Sequence, residues 1–175
     1  PRGMKDIRPV QLKDGRIGVF TRPQGKVGGC GKIGFLAINR LEDLEAADLY
    51  NAPLIGGQYS DDTWGGVNEA RLLEDGRIGC LGHFAEFRTL ATGEQVKHYR
   101  SVAFIFDPAT HSATPMKTLA VRGDFPATAA KRSPELDDIV ISGGMIRQSD
   151  EQADLYVGLS DAYCGCISIQ NPFSV

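Results

Sequence analysis

Short apolar runs broken by Gly, Asp and Pro fill this chain, and few of them keep the 3.6-residue period of a helix. Ile7 to Leu12 and Ile17 to Thr21 flank Asp14-Gly15, and Val67 to Leu73 and Ile78 to Phe84 flank Asp75-Gly76. Each Asp-Gly predicts a tight hairpin turn through residues with positive φ. A looser hairpin runs from Ile139 to Ile146, through a polar turn at Gln148 to Gln152, into Leu155 to Leu159. Ile33 to Ile38 and Ser101 to Phe106 predict further strands, the second closed by Asp107-Pro108. Leu41 to Tyr50 has helical spacing and acidic residues, and reads either as a short helical turn or as an outer strand with its loop.

The first two hairpins are copies of one another. Leu12-Lys13-Asp14-Gly15-Arg16-Ile17-Gly18 returns as Leu73-Glu74-Asp75-Gly76-Arg77-Ile78-Gly79, 61 positions later. Units of about 60 residues, each a hairpin with one or two outer strands, predict an all-β fold of consecutive β-propeller blades. An immunoglobulin-like sandwich uses strands of similar length but has no reason to repeat a heptapeptide. About three units are visible, whereas a closed ring needs at least about four blades. The expectation is therefore an incomplete ring, or one whose open edges need a partner.

Composition narrows the function. Hydrophobic residues make up 42% of the 175, enough for a core. A net charge of −3, from interspersed acidic and basic residues, argues against a nucleic-acid binder, which needs a basic face. No apolar run has the length of a membrane helix. The chain opens Pro1-Arg2-Gly3 with no secretion signal in view; no compartment is specified, and the cytoplasm is favoured. Cys30, Cys80, Cys164 and Cys166 are too sparse for a disulfide framework. Cys164-Gly165-Cys166 is too tight for common zinc spacing and predicts two buried or half-buried thiols on one strand face, so no metal is expected.

The repeat also places polar groups. The start of a hairpin's first strand lies beside the end of its second, so Asp6 and Arg8 meet Arg22 in the first copy. By the same offset Arg8 matches Glu69, and Arg22 matches His83. Asn68-Glu69 and Gly82-His83 therefore share that rim, away from the Asp-Gly turns, and Ser160-Asp161 ends the third copy there. Plainer readings stand beside the functional ones. Asp6 could form a surface ion pair with Lys5 or Arg8, and Glu69 has Arg71 two residues along its strand. Arg22 could cap its strand, and Asp161 could stabilise a turn. His83 could be a satisfied inner histidine, and Trp64, ahead of Gly65-Gly66, could be core or a sugar-stacking ring. Lys131-Arg132 reads as a solvated loop pair. The Gly-rich stretch Gly25 to Gly34 lacks dinucleotide-binding spacing.

Several of these stretches resemble an uncharacterised propeller family, domain of unknown function 1861. They are Lys5-Asp6-Ile7-Arg8-Pro9-Val10, Phe20-Thr21-Arg22-Pro23, Trp64-Gly65-Gly66-Val67-Asn68-Glu69, Leu81-Gly82-His83 and Ala130-Lys131-Arg132. Asp138 to Gly144 and Leu155 to Asp161 complete the match. The family is more distantly similar to the five-bladed glycosidases of families 43 and 32 and to the family 130 mannoside phosphorylases. The last of these share a Lys-Asp start, an Arg-Pro strand end and a Tyr-Gly-x-x-Asp ending; here Tyr156 to Asp161 is one residue longer.

The resemblance implies a five-bladed β-propeller of which residues 1–175 form the C-terminal part, about three blades, with the upstream blades absent. It implies carbohydrate chemistry on glycosidic bonds, by hydrolysis or phosphorolysis. Asp6 would orient and tune the acid, Glu69 would be the general acid, and Arg8, Arg22, Trp64, Asn68, His83 and Asp161 would hold substrate. No cofactor is implied beyond inorganic phosphate as co-substrate, for which Arg8, Arg22 and His83 are suited. A third carboxylate would come from an earlier blade, so the chain alone should be inactive. The rival reading is a non-catalytic sugar-binding or scaffold propeller. The expected partners are a carbohydrate and, for the open edges, the remaining blades or a second chain.

Overall fold

The computed structural model describes residues 4–128 and 132–174. Among these described residues eleven antiparallel strands form three sheets that follow one another along the chain. The first sheet holds β1 (Arg8–Gln11), β2 (Ile17–Thr21) and β3 (Gly34–Ile38) in sequence order. The second orders β4 (Thr63–Leu72), β5 (Ile78–Thr89), β6 (Gln95–Asp107) and β7 (Ser112–Ala113), with β8 (Lys117–Ala120) also pairing β6. The third holds β9 (Val140–Arg147), β10 (Gln152–Leu159) and β11 (Tyr163–Gln170), with β10 in the middle. A short helix α1 (Gly25–Gly28) interrupts the Gly-rich stretch, and only Leu41–Leu44 of the acidic segment forms a 3₁₀ turn.

The duplicated heptapeptide folds the same way twice. Leu12 N–H donates to Arg16 O at 2.8 Å, and Leu73 N–H to Arg77 O at 2.9 Å. Only the glycines, Gly15 at φ 87° and Gly76 at φ 90°, take the left-handed conformation predicted for both turn residues. The aspartates do a different job: Asp14 accepts from Arg16 N–H and Nε, and Asp75 from Arg77 N–H and Nε. These bonds hold both carboxyls below the usual range. A third turn of this kind, which the sequence reading passed over, joins β5 to β6: Leu90 N–H donates to Glu94 O and Gly93 sits at φ 84°.

Apolar residues on successive sheets fill the gaps between them. Val10, Phe20 and Phe35 of the first sheet pack on Val67, Ile78, Cys80, Phe104 and Phe106 of the second. The other face of the second sheet sets Leu81 and Ala103 against Val140, Leu155, Val157 and Leu159 of the third. Having apolar matter on both sides explains why β5 is buried without alternation from Ile78 to His83. β10, covered on one side, keeps strict alternation, with Ala153, Leu155, Val157 and Leu159 inward and Tyr156 43% exposed on the other face. The far side of the first sheet is closed by Leu44, Ala47 and Leu49 of the acidic segment.

Two expectations need correction. Cys164 and Cys166 do share a strand face, but β11 is the edge of its sheet and that face is open, so both thiols are exposed. β5 does not end near His83 but runs on to Thr89, because β6 pairs with it over that whole length.

Candidate functional site

Strands β1, β4 and β9 begin their sheets in the chain, and β1 packs beside β4 as β4 does beside β9. The chain-reversing turns gather at one end of these strands. Gly76 lies against the Lys13 side chain, and a cleft brings Glu74 and Asp75 together with Arg147 and Asp150. The polar residues picked out from the repeat lie away from those turns.

Register explains which of them meet. Arg8 pairs with Phe20, and 61 positions on Glu69 pairs with Leu81, so the two copies superpose up to this point. A β-bulge then intervenes, with Val67 opposite Gly82 and Glu69 opposite Leu81, leaving Asn68 as the extra residue. Such a residue is unpaired and re-aimed. The Asn68 carbonyl accepts from Arg8 Nε at 2.7 Å, and its side-chain Oδ1 lies 3.0 Å from His83 Nδ1.

Asp6 is the centre of this arrangement. Its Oδ2 accepts from Arg22 Nη1 at 3.2 Å and its Oδ1 stands 3.8 Å from Arg8 Nη2. Arg22 is buried and also donates from Nε to Gly65 O at 2.8 Å. The double glycine is what admits the pair: a Cβ on Gly66 would lie 2.9 Å from both Asp6 Oδ2 and Arg22 Cδ, and one on Gly65 only 2.0 Å from His83 O. Asp6 itself has φ 55°, an uncommon conformation for a residue with a side chain. Strain of this kind costs about 1–3 kcal/mol and persists where surrounding contacts over-determine it, often at functional sites.

His83 is buried beside these charges. Burial pulls its imidazole down to about 4, with Asp6 acting in the opposite direction and Arg22 and Arg8 reinforcing the drop. At neutral pH the ring is therefore uncharged, with Nδ1–H donated to Asn68. Tyr99 stacks on it with centroids 5.6 Å apart, and Trp64 Nε1–H donates to the Tyr99 hydroxyl at 2.9 Å. Trp64 is itself buried and tilted against Phe87. Trp64 thus stands behind Tyr99 and His83 as support. Tyr59, stacked on Phe84 at the other face of β5, donates its hydroxyl to the His83 backbone carbonyl at 3.3 Å, and burial drives its phenol far above the usual range.

Glu69 follows Asn68 in the chain, yet its carboxylate is engaged elsewhere. Oε1 is ion-paired with Arg71, and Oε2 accepts from Met145 N–H of β9 at 2.9 Å. Arg71 also donates to Met145 O at 2.9 Å. Asp161 lies in the turn between β10 and β11, exposed, with Ser160 and Asp161 at φ 53° and 51° and Ala162 N–H bonded to Leu159 O. Two successive left-handed residues are what such a hairpin turn demands. Among the described residues no hydrogen bond or ion pair joins Asp161 to the Asp6 centre. Arg132 is exposed, whereas Ala130 and Lys131 lie outside the described residues.

The structure thus brings together Asp6, Arg8, Arg22, Asn68 and His83. Sequence reasoning missed Tyr99, Tyr59 and the Arg71–Met145 link. It also passed over the signal in Gly65-Gly66, since paired glycines inside a strand mark close approach of other groups.

The arrangement has solved relatives. A mannose phosphorylase from Leishmania mexicana, MPT-4, solved in complex with phosphate ion, is 37% identical with a TM-score of 0.87 over 97% of this chain. MPT-1, a GDP-Man-dependent mannosyltransferase from the same organism, is 35% identical with a TM-score of 0.86 over 99%. A hypothetical protein from Leishmania major is 35% identical with a TM-score of 0.81 over 97%. The chain spans about half the length of each, 52%, 53% and 52% respectively. No curated protein matches significantly. The sequence profile of the proteins of unknown function DUF1861 matches residues 1–175, and the chain belongs to that family.

Proposed function

We propose that the three sheets are consecutive blades of a five-bladed β-propeller, and that the Asp6 centre handles a mannose-containing carbohydrate with phosphate as co-substrate. The observation that carries this reading is a strained carboxylate held between two arginines and walled by a neutral histidine. It occurs in a chain 37% identical to a mannose phosphorylase solved with phosphate. The sheet succession supports the propeller part, since the leading strands β1, β4 and β9 lie side by side.

In phosphorolysis a phosphate oxygen bonds to the anomeric carbon as the glycosidic C–O bond breaks, and the departing oxygen takes a proton. Arg8 and Arg22 are the groups to hold phosphate, guanidinium forks being matched to its oxygens. Asp6 faces both and is the carboxylate to orient the sugar and exchange protons. His83 and Asn68 fix the wall beside it. The acid role expected of Glu69 requires that its carboxylate leave Arg71 and Met145, and we assign Glu69 to joining β4 and β9 instead.

The test measures phosphate release when the protein is given mannose 1-phosphate and mannose, and GDP release with GDP-mannose as a second donor arm. Release that disappears in Asp6→Asn and survives in Glu69→Gln is the expected result. Loss in Glu69→Gln with the fold intact would return the acid role to Glu69. Sugar binding without release from either donor would favour the non-catalytic reading.

A further inference from the structure

A second polar cavity lies on the opposite face of the β5–β6 hairpin. In register, Phe84 faces Arg100 and Glu86 faces His98, with Arg88 two residues further along β5. Alternation sets these five side chains on one face, and His83, Ala85 and Tyr99 on the other. Arg88, His98, Arg100, Arg122 and Asp138 line a cavity of about 350 Å³ there. A volume of this order suits a small ligand.

The charges are arranged for an anion. Arg88 and Arg100 share a single carboxylate, Glu86, at 3.2 and 3.4 Å. Arg100 also lies over the Phe84 ring at 3.9 Å, which fixes its plane. Arg122 is held by four neutral oxygens: Ser160 Oγ, Phe125 O, Pro126 O and Thr128 Oγ1. Among the described residues these guanidiniums are ion-paired with Glu86 alone, and Asp138, which also lines the cavity, is committed to His98. Asp138 Oδ2 lies 2.6 Å from His98 Nδ1, and its carbonyl accepts from Tyr99 N–H at 3.0 Å.

His98 completes the site. Its side chain is only 4% exposed, and the bond to Asp138 occupies Nδ1. Among the described residues Nε2 has no hydrogen-bond partner, and it is not among the buried polar atoms sealed off from solvent. His98 and Asp138 both line the cavity, and Nε2 is the ring nitrogen left over for a ligand. A buried imidazole held by a carboxylate, with one nitrogen unused beside three arginines, is more than a solvated basic surface.

We propose that this cavity binds a phosphoryl group, either free phosphate or the phosphate of a small ester, independently of the Asp6 centre. The arginines supply forked donors to its oxygens, and His98 Nε2 accepts from a P–OH or, when protonated, donates to an oxygen.

The three histidines give a direct readout. Imidazole C–H signals of His83, His98 and His111 are followed by NMR while inorganic phosphate, and separately a hexose phosphate, is titrated in. The expected result is a saturable shift of the His98 signal, with affinity in the millimolar range or tighter. It weakens at least about 10-fold in Arg88→Met/Arg100→Met. A stronger response to the ester than to phosphate identifies the ester as the ligand; equal responses identify the phosphate alone. If the double variant fails to fold, Arg88→Met on its half-exposed side chain makes the same comparison. A His98 signal that does not move, or moves unchanged in the arginine variant, overturns the proposal. His83 reports the Asp6 centre separately, so either site can fail without the other.

Discussion

Acid should destabilise this fold through His83, and the size of the effect follows from its surroundings. The imidazole is buried, and burial lowers it from its ordinary 6.5 to about 4 in the folded chain. Above about pH 6.5 both folded and unfolded forms carry a neutral ring, and His83 contributes no pH dependence. Between about 6.5 and 4 the unfolded chain takes a proton that the folded chain refuses, so stability falls with pH. At about 1.4 kcal/mol per pH unit, the gap amounts to on the order of 3 kcal/mol by pH 4. That is a large share of the 5–15 kcal/mol typical of a domain.

Other groups titrate in the same window, carboxylates above all, so the experiment compares two proteins. Urea midpoints are measured from pH 8 to about pH 4 for the natural chain and for His83→Gln, which removes the titrating ring. The stability difference between them should be constant above pH 7 and then shift in favour of the variant, by up to about 3 kcal/mol at pH 4. A constant offset means only that Gln packs differently. Parallel curves throughout would refute the reasoning, because His83 would then be taking its proton equally in both states.

Other consequences can be read more briefly. Gly66→Ala places a methyl 2.9 Å from Asp6 and Arg22, and should cost about 1–3 kcal/mol in urea unfolding while abolishing whatever the Asp6 centre binds. Glu69→Gln and Arg71→Met should each lower stability by about 1–3 kcal/mol, and a double-mutant cycle should show them strongly coupled through Met145. Tyr99→Phe leaves the buried Trp64 Nε1–H without its acceptor, a loss of about 1–3 kcal/mol, seen also as a shift in tryptophan fluorescence. In the folded protein a thiol reagent should modify Cys30, Cys164 and Cys166 quickly, whereas Cys80, buried and pushed well above the usual thiol range, should react only on unfolding.

How much of this could be read from the residues depends on which interaction fixes each feature. The hairpins were legible because turn chemistry is local: Asp14-Gly15 and Asp75-Gly76 announce themselves, and the apolar runs around them have strand length. The pairing of Glu69 with Leu81 was also legible, because the repeat carries the register of the first copy into the second. The bulge at Asn68 was not, since nothing about Val67-Asn68-Glu69 distinguishes a bulged strand from a regular one. With the bulge went the direction of Glu69, whose partner Met145 lies 76 residues away. Tyr99 escaped for the same reason, its partners Trp64 and His83 being set by long-range packing rather than by neighbours. The exposure of Cys164 and Cys166 turned on which face of β11 is covered, a property of the sheet and not of the strand.

The duplication also explains why the charged centre is lopsided. Arg8 and Glu69 occupy the same place in the two copies, and both reach the leading strand of the next sheet: Arg8 the Asn68 carbonyl of β4, Glu69 the Met145 N–H of β9. Opposite charges therefore do one mechanical job, using a carbonyl in one gap and an amide in the other. The remaining equivalent positions have diverged in kind. Past the bulge the register of the second copy is shifted by one, so that Gly66 and not Val67 stands opposite His83, the residue that answers to Arg22; the first copy supplies an ion pair where the second supplies a glycine and a neutral ring. An ion pair set against such a wall is less screened than one in water, and each hydrogen bond it makes to a ligand is correspondingly stronger. A second carboxylate–arginine pair at Gly66 and His83 would have spread the charge over two sheets and brought solvent with it. The asymmetry concentrates the field on Asp6, the residue whose backbone is also strained to stay there.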